Sequence, residues 1–227
     1  MSNTNKTYGM IKPFSENNWE NDAAQTIILK EFLSRLEKLG LKAEVMHEIR
    51  YDDAHVQKHY HEHYGRPYYG NLANCLLQNK AIGMVITGDD AINTLRGSAG
   101  ATIKVDKKTG EVKQIHEPGS IRYNLAFTFY QMKNGVKLED VVIPKNYDGC
   151  QLVYNDANER VDIMKDGVKV CEMFMTQNFI HTSSSVEDAQ NEIETFLDQH
   201  EVNKQANLDA LKAHAKHKAL KNSKPTM

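Results

Sequence analysis

The residues AIGMVITG, 81–88, place the strongest constraint on how this chain can fold. They form a nearly continuous apolar run that stops at Gly88, the pattern of a central strand in a sheet. Such a strand needs partners along its edges and other elements over its faces, and the flanking sequence offers both. TYGMIK (7–12) reads as a short strand ended by Pro13, followed by a polar loop that holds the single tryptophan, Trp19. Ala24, Ile27, Ile28, Phe32, Leu36 and Leu39 make a helical stripe. Gly40 then stands where a left-handed residue ends a helix. Leu41, Ala43, Val45 and Ile49 mark mostly alternate positions, a half-buried strand.

Further along, Asp52 is placed to cap a helix through HVQKHYHEHY that Pro67 breaks, and a second short helix carries Leu72, Cys75 and Leu76. Asp89 precedes another helix, DAINTLR. Residues 103–115 alternate on both sides of Lys-Thr-Gly, which predicts a β-hairpin. Residues 127–177 read as a strand-rich insert, with turn signals at 133–135, 155–158 and 165–167. QNFIH (177–181) predicts a short strand. Ser184 and Glu187 have capping-box spacing before a helix striped by Val186, Ala189, Ile193 and Phe196. From Val202 a tail with six lysines and one acid predicts a solvated helix or a frayed end. The order of elements predicts an α+β sandwich, helices packed on a sheet of four strands. Residues 1–200 form its domain, interrupted by β-rich insertions at about 103–117 and 127–177, and residues 201–227 form the tail.

Composition closes off several classes. With 40% hydrophobic residues, 26% charged and a formal net charge of −2, the 227-residue chain lacks the basic excess of a non-specific nucleic-acid binder. Its longest apolar runs fall far short of the ~20 residues that span a bilayer. Nor does a basic, then apolar, N-terminus suggest a secretory signal. Three cysteines without CxxC spacing (Cys75, Cys150 and Cys171) predict free thiols in a reducing cytoplasm.

Five segments concentrate groups suited to phosphate. Lys12 ends a strand beside the rigid Pro13. HYHEHYGRPYY (59–69) packs aromatic and basic side chains together. Arg96 and Thr102 flank the glycine-containing turn GSAGA. PGSIR supplies Arg122. NFIHTSSS sets His181 between a strand end and a helix N-terminus, where free N–H groups and the helix dipole favour an anion. Glu192 lies seven residues after Ser185, which on a helix is a rotation of only about 20°. It can therefore look back at His181, hold one imidazole nitrogen and leave the other free to attack. His59 and His63, four apart, read more simply as a solvated helix face than as a zinc site.

Taken in order, IKP, HYHEHYGRPYY, GMVITGDDAI, RGSAGAT, PGSIR and NFIHTSSS with Glu192-Ile193 resemble the nucleoside diphosphate kinase family from about residue 7 to residue 197. The resemblance implies a ferredoxin-like fold on a four-stranded antiparallel sheet. It implies that His181 is the histidine that carries the phosphoryl group, with Ser183 and Glu192 hydrogen-bonding around it. Lys12, Tyr60, Arg96, Thr102, Arg122 and Asn178 match residues that contact phosphates or ribose, and Tyr68 matches an aromatic that stacks on the base. It further implies nucleoside triphosphates and diphosphates as substrates and Mg²⁺ carried on their phosphates. No protein metal ligand, membrane or specific nucleic acid is implied, and the assembly is a homo-oligomer. Stacking alone predicts broad base tolerance. The chain departs from the pattern at Ser184, which replaces an acidic residue near the magnesium, at Phe14, at Lys104 and in the two insertions. Those departures support an alternative, a non-catalytic nucleotide-binding or scaffold protein of the same fold.

Overall fold

The computed structural model describes residues 5–14, 21–77, 79–176 and 178–222. The Trp19 loop, Gln177 and residues 223–227 of the tail lie outside the described residues. A four-stranded antiparallel sheet has the order β2-β3-β1-β9, built from β1 (Lys6–Ile11), β2 (Lys42–Arg50), β3 (Lys80–Thr87) and β9 (Ile180–Thr182). The apolar run of 81–88 is indeed interior: β3 lies between β2 and β1, and Ala81 to Ile86 are all buried.

Alternation along the strands sends side chains to two separate cores. Ile11, Ile82, Met84 and Ile86 meet α1 (Asn21–Lys38) through Ile28, Phe32 and Leu36, and α5 (Ile121–Lys133) through Leu125 and Phe129. On the other face Tyr8, Met10 and Val85 meet α2 (Asp53–His59), α3 (Tyr69–Leu76) and α6 (Val186–Asn222). Gly83 permits the second contact, since a Cβ there would sit 2.5 Å from the Phe196 ring. Among the described residues no helix is long and apolar enough to cross a membrane.

Several local expectations are corrected. Helix α2 stops at His59, before Pro67, and a single 3₁₀ turn (His61–His63) follows. Asp52 does cap it, accepting from the His55 N–H at 2.9 Å. Before α4 (Ala91–Ala99) the cap position is Asp90, in the left-handed region and without a side-chain cap, rather than Asp89. Ser185, not Ser184, caps α6, accepting from the Asp188 N–H at 3.0 Å.

Residues 103–115 form the predicted hairpin, β4 (Lys104–Asp106) with β5 (Glu111–Gln114). The segment 127–177 is shorter in strand content than predicted. Residues 121–133 are helix α5, capped by the Ser120 hydroxyl, because Leu125, Ala126 and Phe129 bury one face at helical spacing. Strands occupy only β6 (Cys150–Asn155), β7 (Arg160–Lys165) and β8 (Val168–Phe174). This meander shares the α1/α5 core through Val161, Ile163, Cys171 and Met173. Cys150 and Cys171 are free and do not face each other, since β7 runs between their strands.

Candidate active site

Three chain segments that are distant in sequence converge at the open end of the sheet. Lys12 leaves β1, His181 sits in β9 beside it (Met10 is its register partner), and Arg122 rises from the first turn of α5. They line a cleft of about 940 Å³ together with Tyr60, Tyr68, Arg96, Thr102, Asn178 and Glu192. Every residue selected from the sequence thus reaches one cavity, except Ser183, which lies behind it against Glu192.

Among the described residues no carboxylate forms an ion pair with the buried cations of the cleft floor. Lys12 is 5% exposed and donates to Asn178 Oδ1 at 3.0 Å, a neutral acceptor. Burial lowers its ammonium to about 8, and the nearby Arg122 pushes the same way. The Arg122 guanidinium donates to the carbonyls of Gly100 and Ile180, the latter at 3.1 Å, while its Nε has no partner. Burial, then Arg96, brings it down to about 10. The Tyr60 hydroxyl is also buried and unpartnered. Buried charge that is not neutralised is costly, so these orphaned donors and cations form a receptor for an anion. Arg96 and Thr102 are exposed at its rim.

The histidine is held in one orientation. Its Nε2 lies 2.6 Å from Glu192 Oε1, and Ser183 Oγ donates to Glu192 Oε2 at 2.7 Å. Against a carboxylate acceptor the Nε2 atom must carry the proton, which leaves the lone pair on Nδ1. Burial, then Lys12 and Arg122, holds His181 well below its ordinary value, so the ring stays neutral. Burial raises Glu192 to about 7, against the pull of His59 and the Ser183 hydroxyl. A neutral imidazole with an oriented Nε2–H has the chemistry to act through Nδ1 as a nucleophile toward an anionic group in this cleft.

The backbone just before the histidine is forced. Phe179 adopts φ 66°, a left-handed conformation that disfavours its side chain. Its ring stacks on Phe129 and packs on Phe14, and its carbonyl accepts from the Lys12 N–H at 2.8 Å. Packing therefore fixes a conformation costing of order 1–3 kcal/mol beside His181.

Residues that sequence reasoning did not select also shape the cleft. His59, read as solvated, is 3% exposed and packs edge-on against His181. His116 Nδ1 is 2.7 Å from the Ala101 carbonyl, and Glu117 accepts from the Ala101 N–H at 2.5 Å, so the two hold the turn that carries Thr102. Asp188, in the first turn of α6, accepts from the Ser184 hydroxyl. The spacing of His59, His116 and Glu117 gives no signal of these contacts; for Asp188 the cue is its position four residues after Ser184.

A sequence profile described as nucleoside diphosphate kinase matches residues 5–136. The chain belongs to the nucleoside diphosphate kinase family. A nucleoside diphosphate kinase of Methanococcoides burtonii is 34% identical over 108 residues, covering 48% of this chain and 67% of that protein. One from a Mycobacterium species is 32% identical over 123 residues, 54% of this chain and 79% of that protein. Among solved structures, a nucleoside diphosphate kinase family protein from Babesia bovis superposes with a TM-score of 0.50 at 20% identity, covering 86% of this chain and 90% of that one. That likeness of fold covers more of the chain than the profile does.

Proposed function

We propose that the chain is an active nucleoside diphosphate kinase that carries the phosphoryl group on His181 Nδ1. The observation that supports this best is the oriented, neutral imidazole beside two buried cations that have no anionic partner. A triphosphate enters with its terminal phosphate against Lys12, Arg122 and the Tyr60 hydroxyl. Nδ1 attacks phosphorus in line, the bond to the β-phosphate oxygen breaks, and the diphosphate leaves. A second diphosphate occupies the same cleft and removes the phosphoryl group by the reverse step, which gives ping-pong kinetics. Charge neutralisation and positioning supply the catalysis. Glu192, held by Ser183, keeps the proton on Nε2 and stabilises positive charge developing on the ring. Asn178 positions Lys12, Arg96 and Thr102 meet the outer phosphates and ribose, and Tyr68 carries the base.

A divalent cation, which we take to be Mg²⁺ carried by the nucleotide phosphates, supplies further charge neutralisation when bound. The carboxylates of Glu62 and Asp188 fit such a hard ion, since with His61 their ligand atoms lie within 4.8 Å of one another at the cleft. We also propose a homo-oligomer whose basic unit is a dimer, because the insertions enlarge the loop that, by the family resemblance, builds contacts between subunits; light scattering at a mass near six chains would refute that.

The test is incubation with γ-labelled ATP and Mg²⁺, followed by peptide mapping. An acid-labile, base-stable label on the His181 peptide, discharged by a second diphosphate and absent in His181→Ala, supports the kinase. Bound ATP without label would favour the scaffold alternative.

A further inference from the structure

The two insertions close over the cleft rather than standing clear of it. Lys107 of the β4–β5 hairpin and Glu159 of the meander both line it. Glu159 Oε1 accepts from Lys107 Nζ at 2.8 Å, and its Oε2 accepts from Asn71 Nδ2 of α3 at 3.2 Å. Glu159 occupies the turn between β6 and β7 at φ 45°, and its carbonyl accepts from the Met175 N–H at 3.0 Å, which ties the turn to the end of β8. One carboxylate therefore joins both insertions to α3. Asn71 lies three residues after Tyr68, on the adjacent turn. Tyr68 and Glu159 both line the cleft, so the Glu159 carboxylate is available to the edge of a ring resting on Tyr68. A carboxylate has about four acceptor directions, and two are used here.

We infer that the insertions build a subsite for the edge of the base, in which Glu159 accepts from a ring N–H and an adjacent amino group. Guanine presents that pair of donors. Adenine and cytosine place a ring acceptor beside their amino group, and uracil flanks its N–H with carbonyl oxygens, so each turns a lone pair toward the carboxylate. Asn71 and Lys107 each hold one oxygen of Glu159, so either alone keeps it aimed. The inference rests on the reading of the cleft as a nucleoside diphosphate kinase site, and it narrows the base tolerance that stacking alone implies.

The experiment charges the protein with labelled ATP and then follows discharge of the label by GDP, IDP, ADP, CDP and UDP in single turnovers. IDP keeps the ring N–H and lacks the amino group. GDP should discharge the label about tenfold faster than IDP at limiting concentration, the scale of one hydrogen bond to a charged group, and faster still than the other three. Glu159→Gln should bring the GDP/IDP ratio close to one. Lys107→Ala, which opens the clasp and spares the carboxylate, should keep the ratio well above one. Equal discharge by all five, a ratio unchanged in Glu159→Gln, or a ratio lost equally in Lys107→Ala would overturn the subsite. Calorimetric titration of GDP and IDP onto the uncharged protein reads the same ratio without any transfer step. A protein that never charges would therefore sink the kinase reading, while equal binding would sink this one.

Discussion

The ring of His59 stands edge-on to that of His181, 4.8 Å between centroids and 61° between planes, and neither of its nitrogens has a hydrogen-bond partner. Burial brings its pKa down to about 3, so it packs as a neutral ring. A buried donor or acceptor left unmade costs about 1–3 kcal/mol. His59→Phe, which keeps a ring against His181, should therefore raise stability by about 1 kcal/mol, a Tm increase of about 2–4 °C for a chain of this size. A lowered Tm in a thermal melt would show that a bound water satisfies those nitrogens.

Lys12 and Glu192 set opposite limbs of the pH profile. Glu192, raised to about 7, must be ionised to accept from Nε2, and Lys12, lowered to about 8, must be protonated to hold phosphate. The specificity constant kcat/KM of the free enzyme should rise through pH 7 and fall above about pH 8. Lys12→Arg should move the alkaline limb upward, and Glu192→Gln should remove the acid limb. The stability linkage runs the other way for Glu192. Its folded value lies above its unfolded one, so the protein binds more protons folded, and stability declines as pH rises from about 4.5 to about 7. Chemical denaturation of wild type and Glu192→Gln across that range would show the difference.

Ser183 acts through Glu192. Its hydroxyl donates to Glu192 Oε2 and its oxygen accepts from the Tyr8 N–H at 3.0 Å, which ties the carboxylate to β1. Glu192→Gln should slow phosphohistidine formation by roughly one to two orders of magnitude, in line with loss of an orienting partner. Ser183→Ala should cost roughly tenfold. Because both act in one network, the double variant should be little slower than Glu192→Gln alone. Multiplying losses in rapid-quench measurements would mean that the two residues work independently.

Ser184 and Asp188 are hydrogen-bonded across one helical turn. Where the family resemblance places an acidic residue, this chain has Ser184, and its hydroxyl donates to Asp188. Although burial opposes it, the Ser184 and Ser185 hydroxyls hold the Asp188 carboxyl below its ordinary value. Asp188→Ala should raise the Mg²⁺ concentration needed for half-maximal transfer about tenfold, on the scale of one charged contact. The double exchange Ser184→Asp with Asp188→Ser should restore most of it. Titrations of rate against Mg²⁺ that coincide for all three proteins would remove Asp188 from cation binding.

Much of the site was legible because it is carried by short-range rules. The His181–Glu192 pairing follows from helical rotation after Ser185, and Gly40 was placed correctly as a helix end, at φ 68°. Other features turned on competition between neighbours. Asp89 and Asp90 are chemically alike, as are Ser184 and Ser185, and the chain's path into the helix chose between them. The helix at 121–133 is not read from the sequence, which assigns residues from 127 onward to strands, because its apolar residues, LAFTF, suit a strand as well as a helix until the partner surface is known.

The sequence by itself determined the central strand at 81–88, the hairpin of β4 and β5, and the phosphate-seeking residues from Lys12 to Glu192, because periodicity and side-chain chemistry are local properties. Tertiary structure decided which of those residues are buried and what they meet. His59 became a neutral wall for His181, Lys12 and Arg122 became cations without anions, and Phe179 was held at positive φ by Phe129 and Phe14. The turn between β6 and β7 carried Glu159 to within reach of Lys107 and Asn71. Burial and juxtaposition depend on contacts between residues far apart in the chain, and no local pattern encodes them.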